Sequence, residues 1–358
     1  MVFLAPPPAP SIRGDAFADG VGGTCAATIL MAETMAAHGW DVLVASGIAD
    51  DLVFAGVRYA PMAAVAGMQC DVLALINHWG DLAREISARH RVFIYHDTRP
   101  GGRPDTPRCL HWADCTIVDS PFGREQLAPG LPRSALARVA DMPLPVRIAD
   151  YRDAPTERGH LLLYSSMPDR GLACLARLFP AIRARVPTAE LHVTGDFTLY
   201  GWAAGRADYE RLFAAHSGVH YHGRVPRSAL VELQKQAKIL AFPCTFPEGF
   251  CIAAAEAMAA GAVPVTSRAF ALTTTVGAAG VLIPGHPAPG RRNVVQRWLY
   301  GRRFVQAVVE LLSDDEHWRQ RSDACRQSAV DRFAPDAWYQ RFTRLVIGAV
   351  PTMYQVVG

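Results

Sequence analysis

Short runs of β-branched and leucine residues alternate along the chain with longer segments of helical periodicity. Most runs are followed by Gly, Ser, Asp or Pro and then by an amphipathic segment, a rhythm typical of βα units in a parallel sheet. The pattern predicts five strands in each half of the chain. The predicted strands are residues 2–5, 41–45, 72–76, 92–95, 116–118, 161–164, 191–194, 219–221, 239–242 and 263–266.

Helices are predicted between these strands. The clearest one runs from Thr24, a good N-cap, to Gly39 in the C′ position. Four more are predicted near residues 170–185, 207–215, 227–236 and 250–260, and the chain is all helix after Gly301. The sequence therefore predicts an α/β protein with two doubly wound halves.

The stretch 142–159 is the predicted linker between the halves, because it has three prolines, several charges and little periodicity. We place the boundary at 157. The expected domains are 1–157 and 158–334, with a helix in 335–358 that packs back on the first domain.

Composition narrows the class of protein. The 358 residues are 50% apolar and 19% charged, which fits a folded protein with two cores and excludes wholesale disorder. No uncharged apolar stretch is long enough for a membrane span, and the start of the chain does not resemble a secretory signal. The eight cysteines include no C-x-x-C pair. We expect a cytoplasmic protein.

Charge is distributed unevenly. Residues 1–157 hold 13 Arg against 18 Asp and Glu, while 158–358 hold 23 Lys and Arg against 15 Asp and Glu. The halves therefore carry net charges of −5 and +8. A basic second half suits an anionic ligand such as a nucleotide, and no run of like charges typical of nucleic-acid binding is present.

The segment 247–265, PEGFCIAAAEAMAAGAVPV, contains the most informative pattern. Glu248 is predicted to begin a helix, and Glu256 follows eight residues later. On one helix this spacing separates them by about 12 Å and about 80° around the axis, so both can face one elongated ligand. Carboxylates bind sugar diols, and the amides of Gly249, Phe250 and Cys251 at a helix N-terminus can meet phosphate.

This segment resembles the E-x7-E region of retaining nucleotide-sugar glycosyltransferases of family 4, which have the GT-B fold. The resemblance implies two Rossmann-like domains facing across a cleft, with the donor on the second domain. It implies that Glu256 holds ribose and Glu248 the sugar hydroxyls. It also implies front-face transfer, in which the acceptor hydroxyl attacks from the side of the departing phosphate.

Three further segments follow the order of this family. In GVGG, residues 20–23, the amides of Gly22 and Gly23 are expected to approach the diphosphate. In SSMPDRGL, residues 165–172, Arg170 matches a basic residue that neutralises the leaving group, while Ser165 or Ser166 replaces the other. Ser166 is expected to contact the donor. In the segment 222–243, Arg224 and Val225 are the expected contacts of the base.

Acceptor-side residues are expected in the first domain. The segment IYHD ends a predicted strand, and the resemblance places His96 beside the donor sugar. Asp97 and His78, each at a strand end, are acceptor-side candidates. His220 and His222 alternate on a strand, which is a metal geometry only if a third ligand converges. The sequence shows none, and no metal site is predicted.

We expect a metal-independent retaining glycosyltransferase that needs no cofactor besides its co-substrate, a UDP-sugar or GDP-sugar. The expected acceptor is a glycan, lipid-linked or small-molecule hydroxyl, with no nucleic-acid partner. Lipid-linked acceptors would bring the protein to the inner membrane face. Alternatives left open are a nucleotide-sugar epimerase or phosphorylase of the same fold and a catalytically silent nucleotide-sugar scaffold. A dinucleotide oxidoreductase is a third, although G-x-G-x-x-G is missing.

Overall fold

The structure is a computed structural model that describes residues 1–7, 11–129, 131–200, 206–213, 216–285 and 294–348. The chain divides into two compact units. Unit 1 comprises Met1–Phe17, Gly23–Pro145 and the residues from Ala334 onward. Unit 2 comprises Ala18–Gly22 and Val146–Phe333.

Unit 1 is built on an eight-stranded sheet in the order β3-β4-β2-β1-β5-β6-β7-β8. All neighbouring strands are parallel except β3 and β4, which are antiparallel. The strands are β1 (Val2–Leu4), β2 (Val42–Ser46), β3 (Leu52–Phe54), β4 (Val57–Pro61), β5 (Gln69–Ile76), β6 (Ser87–Tyr95), β7 (Cys115–Val118) and β8 (Val139–Asp141). The helices are α1 (Gly23–Ala37), α2 (Thr106–Trp112), α3 (Pro121–Leu127) and α4 (Arg133–Leu136).

Unit 2 has a six-stranded, fully parallel sheet in the order β11-β10-β9-β12-β13-β14. Its strands are β9 (Leu161–Ser165), β10 (Glu190–Thr194), β11 (Val219–Gly223), β12 (Ile239–Phe242), β13 (Val263–Ser267) and β14 (Val281–Ile283). Its helices are α5 (Leu172–Arg185), α6 (Arg206–Phe213), α7 (Arg227–Gln236), α8 (Ile252–Ala260), α9 (Leu272–Thr275), α10 (Val294–Ser313) and α11 (Asp315–Phe333).

The ten strands predicted from apolar runs are all present, each within five residues of its expected bounds. Four strands were not predicted: β3, β4, β8 and β14. Helix α1 begins at Gly23, one residue before the expected cap, and Gly39 follows it with a φ of 84°. The helical region expected after Gly301 already begins at Val294. Residues 214–215 and 349–358 of the expected helices lie outside the described residues.

The last described helix, α12 (Pro335–Val346), packs on α1 in unit 1. The Tyr339 ring stacks on His38 with centroids 3.8 Å apart, and the Trp40 indole donates to the Tyr339 hydroxyl at 3.3 Å. His38 Nε2 also lies 3.1 Å from Asp336 Oδ1. Among the described residues, no helix combines the length and the apolar character that crossing a membrane requires.

Candidate functional site

Arg170 and Glu248 form an ion pair at the carboxyl ends of two adjacent parallel strands. Arg170 follows β9 and Glu248 follows β12. Arg170 Nη1 donates to Glu248 Oε1 at 2.8 Å, and the two side chains are 21% and 10% exposed. The guanidinium also lies 3.9 Å from the centre of the Phe246 ring. Open α/β sheets bind ligands at this edge, so the pair lies where a ligand is expected.

Close backbone packing positions Arg170. Gly171 has a φ of 137°, and a Cβ there would lie 2.2 Å from the carbonyl oxygen of Pro243. The Thr245 amide donates to the Arg170 carbonyl at 3.1 Å. Because glycine alone allows this approach, the segment after β9 lies directly against the segment after β12. The ion pair of Arg170 and Glu248 bridges the same two segments.

The expectation that Glu248 begins a helix is wrong. Helix α8 begins at Ile252, and Cys251 before it has a left-handed φ of 71°. A left-handed residue interrupts a right-handed helix, so Glu248 lies in a loop and the helical spacing to Glu256 does not apply. Gly249, Phe250 and Cys251 precede the helix as well, and Phe250 and Cys251 are buried.

Glu256 lies inside α8 and is buried in a polar network. Its Oε1 accepts from Arg227 Nη1 at 2.6 Å, and its Oε2 accepts from Gln234 Nε2 at 2.9 Å. Arg227 Nη2 also donates to the Tyr151 hydroxyl at 3.0 Å, which in turn donates to Gln234 Oε1 at 2.7 Å. Glu256 therefore joins α7 and α8 to the turn that contains Tyr151. Its expected ribose contact stays a prediction.

The charges of this network are strongly coupled. Burial alone would lower the pKa of the Arg227 guanidinium, but the Glu256 carboxylate and Tyr151 outweigh it and raise that pKa. Burial, followed by the nearby Glu256 charge, raises the pKa of the Tyr151 phenol well above its usual value. Tyr151 therefore remains a neutral hydrogen-bonding group at physiological pH.

The glycine loop and the segment after β11 meet within unit 2. Arg224 Nε donates to the Asp19 carbonyl at 3.0 Å, and Nη2 donates to the Gly20 carbonyl at 2.9 Å. A Cβ on Gly20, whose φ is 82°, would lie 2.9 Å from the Val225 carbonyl oxygen. The predicted Arg224 and Val225 thus contact this loop. The side chain of Arg224 is directed to carbonyl groups, and the expected base contact stays a prediction.

Gly22 and Gly23 lie at the end of this loop. Gly23 is the first residue of α1, and a Cβ there would have no neighbouring atom within 4 Å. Packing therefore does not require glycine at this position. The first amide groups of a helix have no acceptor within the helix, which is compatible with the expected approach of a diphosphate.

The two serines after β9 differ from the basic residue that the resemblance implies. Ser165 is the last residue of β9, and its hydroxyl is buried without a hydrogen-bond partner among the described residues. Ser166 is half-buried, and its carbonyl oxygen lies 3.1 Å from the position of a Cβ on Gly195. Neither side chain supplies positive charge, so Arg170 is the cation that this segment contributes.

His96, which directly follows β6, is held by a carboxylate. Its Nδ1 lies 2.9 and 3.0 Å from the two oxygens of Asp119, and both side chains are almost fully buried. The Asn77 Oδ1 atom accepts from the His96 amide at 2.7 Å. His96 Nε2 is buried without a partner among the described residues. This pairing orients the imidazole and favours the tautomer with its proton on Nδ1.

The other two acceptor-side candidates both make contacts with the loop between β6 and α2. Asp97 accepts from Arg103 Nε at 2.7 Å and from the Thr98 and Arg99 amides at 2.6 and 3.1 Å. His78 Nδ1 lies 3.4 Å from Asp105 Oδ2. Burial and then the Arg103 charge lower the pKa of His78. Both residues lie near the carboxyl edge of the unit 1 sheet, as expected from their strand-end positions.

A histidine cluster that sequence reasoning missed lies on β10 and β11. His192 of β10 pairs in register with His220, which places a third histidine beside His220 and His222. His222 Nε2 lies 3.0 Å from His192 Nδ1, and His192 Nε2 lies 3.8 Å from Glu190 Oε2. Burial and the neighbouring imidazoles lower the pKa of His192. Both strands were predicted, but their pairing was not.

Comparison with solved structures shows the fold. Sucrose-phosphate synthase from Thermosynechococcus elongatus is 19% identical, with 96% of this chain and 98% of that chain covered and a TM-score of 0.71. HepE from Anabaena, solved with UDP-glucose, is 16% identical, with 96% and 98% covered and a TM-score of 0.68. WaaG, a glycosyltransferase involved in lipopolysaccharide biosynthesis, is 14% identical, with 96% and 99% covered and a TM-score of 0.63.

The fold is GT-B. Residues 158–314 match the family model described as Glycosyl transferases group 1, which confirms the predicted resemblance. No curated protein matches the chain by sequence. The match includes the GT-B segments that contain Arg170, Arg224, Glu248 and Glu256. Together these findings support glycosyl transfer from a nucleotide sugar as the general reaction.

Proposed function

We propose that this protein is a retaining glycosyltransferase that moves a sugar from a nucleoside diphosphate sugar to an acceptor hydroxyl. The observation that carries the proposal is the pair of Arg170 and Glu248, held at 2.8 Å at the carboxyl ends of adjacent strands. The GT-B fold and the family match of residues 158–314 support the same reaction.

Arg170 is proposed to neutralise the departing diphosphate. A guanidinium can donate to two phosphate oxygens at once, and Arg170 is held in place by Glu248 and the Phe246 ring. The amides of Gly22 and Gly23 supply further donors at the N-terminus of α1. These groups stabilise the charge that develops on the leaving group, so transfer is proposed to need no metal or other cofactor.

Glu248 is proposed to bind the sugar. Its Oε1 accepts from Arg170, and its Oε2 is assigned to a sugar hydroxyl. Glu256 is proposed to bind ribose while Arg227 and Gln234 hold its carboxylate. His96, oriented by Asp119, is proposed to present Nε2 to the transferred sugar, with Asp97 and His78 toward the acceptor. Front-face attack would retain the anomeric configuration, and the departing phosphate would take the acceptor proton.

UDP-sugars are the donors to test first, since the HepE structure holds UDP-glucose, and GDP-sugars come next. The proposed acceptor is a glycan, lipid-linked or small-molecule hydroxyl. We propose that the protein acts in the cytoplasm or at the inner membrane face. The eight cysteines, all free in the structure, support a reducing compartment.

The first experiment is calorimetric titration with UDP, GDP, TDP and ADP, on wild-type protein and on Glu256→Ala. We expect one nucleotide to bind and the variant to bind it at least tenfold more weakly, which corresponds to about 1.4 kcal/mol. Equal affinity in the two proteins would contradict the ribose role. Glu316→Ala, which removes an exposed carboxylate on α11, is the matched control.

The second experiment measures transfer with the matching nucleotide sugar. Glu248→Ala should lose at least about 100-fold in turnover, a typical loss for an electrostatic group in an active site. The anomeric configuration of the product, read by NMR, tests retention. Near-normal turnover in Glu248→Ala would contradict its role, and an inverted product would contradict the front-face route.

A catalytically silent nucleotide-sugar scaffold is the second candidate function, favoured by Ser165, whose hydroxyl is buried, in place of a basic residue. Nucleotide binding without hydrolysis or transfer above the Glu248→Ala background would favour it. An epimerase would instead convert the donor without an acceptor. A phosphorylase would convert it only with added phosphate.

A further inference from the structure

The cluster of His192, His220, His222 and Glu190 is not explained by packing or by the proposed transfer reaction. It lies on β10 and the edge strand β11, whereas Arg170 and Glu248 follow β9 and β12 in the middle of the sheet. Glu190, His220 and His222 are exposed and His192 is half-buried. Side chains of alternate residues share one face of a strand, so the register gathers these groups on one face.

We propose that Glu190, His192 and His220 bind a divalent transition-metal ion of the zinc class. One ligand atom from each residue lies within 4.8 Å of the other two, close enough to converge on one ion after small rotamer changes. Two imidazoles and one carboxylate form a donor set that zinc uses in proteins, with a further position for water. Imidazole also disfavours Mg²⁺ and Ca²⁺, which take oxygen ligands.

His222 orients the site without being one of the three ligands. Its Nε2 lies 3.0 Å from His192 Nδ1, while His192 Nε2 lies on the Glu190 side, 3.8 Å from Oε2. A proton on His192 Nδ1, donated to His222, leaves the Nε2 lone pair available to a metal. Ligating histidines characteristically use their second nitrogen in this way, and His222 is therefore a positioning residue.

The bound ion would fasten the edge strand to its neighbour. His192 belongs to β10 and His220 to β11, so one ion would link the two strands through side chains in addition to the backbone ladder. Strand β11 ends at Gly223 and leads directly into Arg224. Metal binding is thus expected to stabilise unit 2 at β11, the strand that precedes Arg224.

The test uses the full chain with any affinity tag removed and Zn²⁺ alone as the probe. Competition with a chromophoric chelator measures affinity for wild-type protein, His192→Ala, His220→Ala and His222→Gln. We expect one site in the wild type, at least about 100-fold weaker binding in the two ligand variants and about 10 to 100-fold weaker binding in His222→Gln. His111→Ala, which removes an exposed histidine on α2, should bind Zn²⁺ as the wild type does.

Thermal unfolding gives a second readout. Zn²⁺ should raise the midpoint of the wild type and of His111→Ala, but not of His220→Ala, whereas Mg²⁺ should raise none of them. His220 is exposed, so its replacement keeps the test valid even if His192→Ala fails to fold. Wild-type affinity for Zn²⁺ in His220→Ala, or no site in the wild type, would overturn the proposal.

Discussion

At the scale of single residues, each central candidate is already held by a partner from another part of the chain. Arg170 is held by Glu248, His96 by Asp119 and Glu256 by Arg227. Such pairs fix the direction of a functional group before a ligand arrives, so that less reorganisation is needed during reaction. The candidate donor-side and acceptor-side groups of the protein are therefore preorganised within each unit.

Substitutions at two glycines should affect different properties, one the stability of the fold and the other the binding of the ligand. Gly171→Ala should destabilise unit 2 and lower the thermal midpoint, because its Cβ would lie 2.2 Å from the Pro243 carbonyl oxygen at a φ of 137°. Gly23→Ala meets no atom within 4 Å and should keep the wild-type midpoint. It should nevertheless weaken donor nucleotide binding by about tenfold, or about 1.4 kcal/mol, because the added Cβ would hinder the close approach of the diphosphate to this amide. Calorimetry measures the nucleotide affinity and thermal unfolding measures the midpoint. Unchanged affinity in Gly23→Ala would contradict a role of Gly23 at the diphosphate.

His78 should make the fold sensitive to acid. Burial and the Arg103 charge lower the pKa of His78 from its ordinary value of 6.5, so the folded protein binds this proton less readily than the unfolded chain does. Just below pH 6.5 the unfolded chain then binds more protons, and stability falls as the pH falls. Thermal midpoints at about pH 7.5 and about pH 5.5 should therefore differ less in His78→Gln than in the wild type. The exposed His111→Gln is the control, and an equal loss in all three proteins would contradict the assignment.

The sequence predicted strand-end residues better than their partners. His96, Asp97 and His78 could be predicted because polar residues at the carboxyl ends of parallel strands meet at one edge. Asp119 also follows the carboxyl end of a strand, β7, but its pairing with His96 depends on which strand ends meet, and local sequence does not reveal that. His192 was missed for a different reason: its proximity to His220 depends on strand register, which local periodicity does not contain.

At the scale of elements, a buried polar network joins α7 and α8. Arg227 is the first residue of α7, Gln234 lies near its end, and Glu256 lies in the middle of α8. Helix α8 is otherwise rich in alanine and buried, so it packs closely on its neighbours without large side chains. The network therefore supplies the specific contacts that fix α7 relative to α8.

Removing one member of the buried ion pair of Arg227 and Glu256 should destabilise the protein more than removing both charges. Arg227→Ala leaves the Glu256 carboxylate buried without its cation and should destabilise the protein by about 3–5 kcal/mol. The double variant Arg227→Ala with Glu256→Gln should recover part of that loss, because no unpaired charge remains. Denaturant unfolding of both variants measures the difference. A double variant that is no more stable than Arg227→Ala would contradict the expected charge penalty.

Strands with a continuous run of buried apolar residues were predictable from the sequence. Strands such as β5 and β12 have continuous buried residues, whereas β3 and β8 have only three residues each and lie at the edges of the sheet. Short edge strands depend on a neighbour more than on their own pattern. The start of α8 was misplaced because the left-handed Cys251 is a property of the loop, which residue propensity does not reveal.

At the scale of the whole molecule, the proposed donor groups are concentrated in unit 2, which includes the loop from Ala18 to Gly22. Residues 158–358, which include most of unit 2, carry a net charge of +8. An anionic nucleotide is thus expected to bind mainly to one of the two units.

Hydrogen exchange should show that the nucleotide binds mainly to unit 2. With a binding nucleotide at about 100 times its Kd, unit 2 should gain about 2.7 kcal/mol of stability against opening. Peptides containing 165–172 and 247–256 should become more protected, while those from β2 to β4 in unit 1 should not. Equal protection in both groups of peptides would contradict a donor site centred on unit 2. Glu256→Ala is the control: if it binds the nucleotide tenfold more weakly, it should gain only about 1.4 kcal/mol at the same nucleotide concentration.

The winding of the chain between the two units also has a consequence for synthesis on the ribosome. Unit 1 contains the first strands, yet it also contains α12, which packs on α1 and begins only after Phe333. All of unit 2 is therefore translated before the helix that completes unit 1. Domains are usually finished in the order in which they are made. Of these two units, the one whose first strands are made earlier receives α12 only after the other has been synthesised.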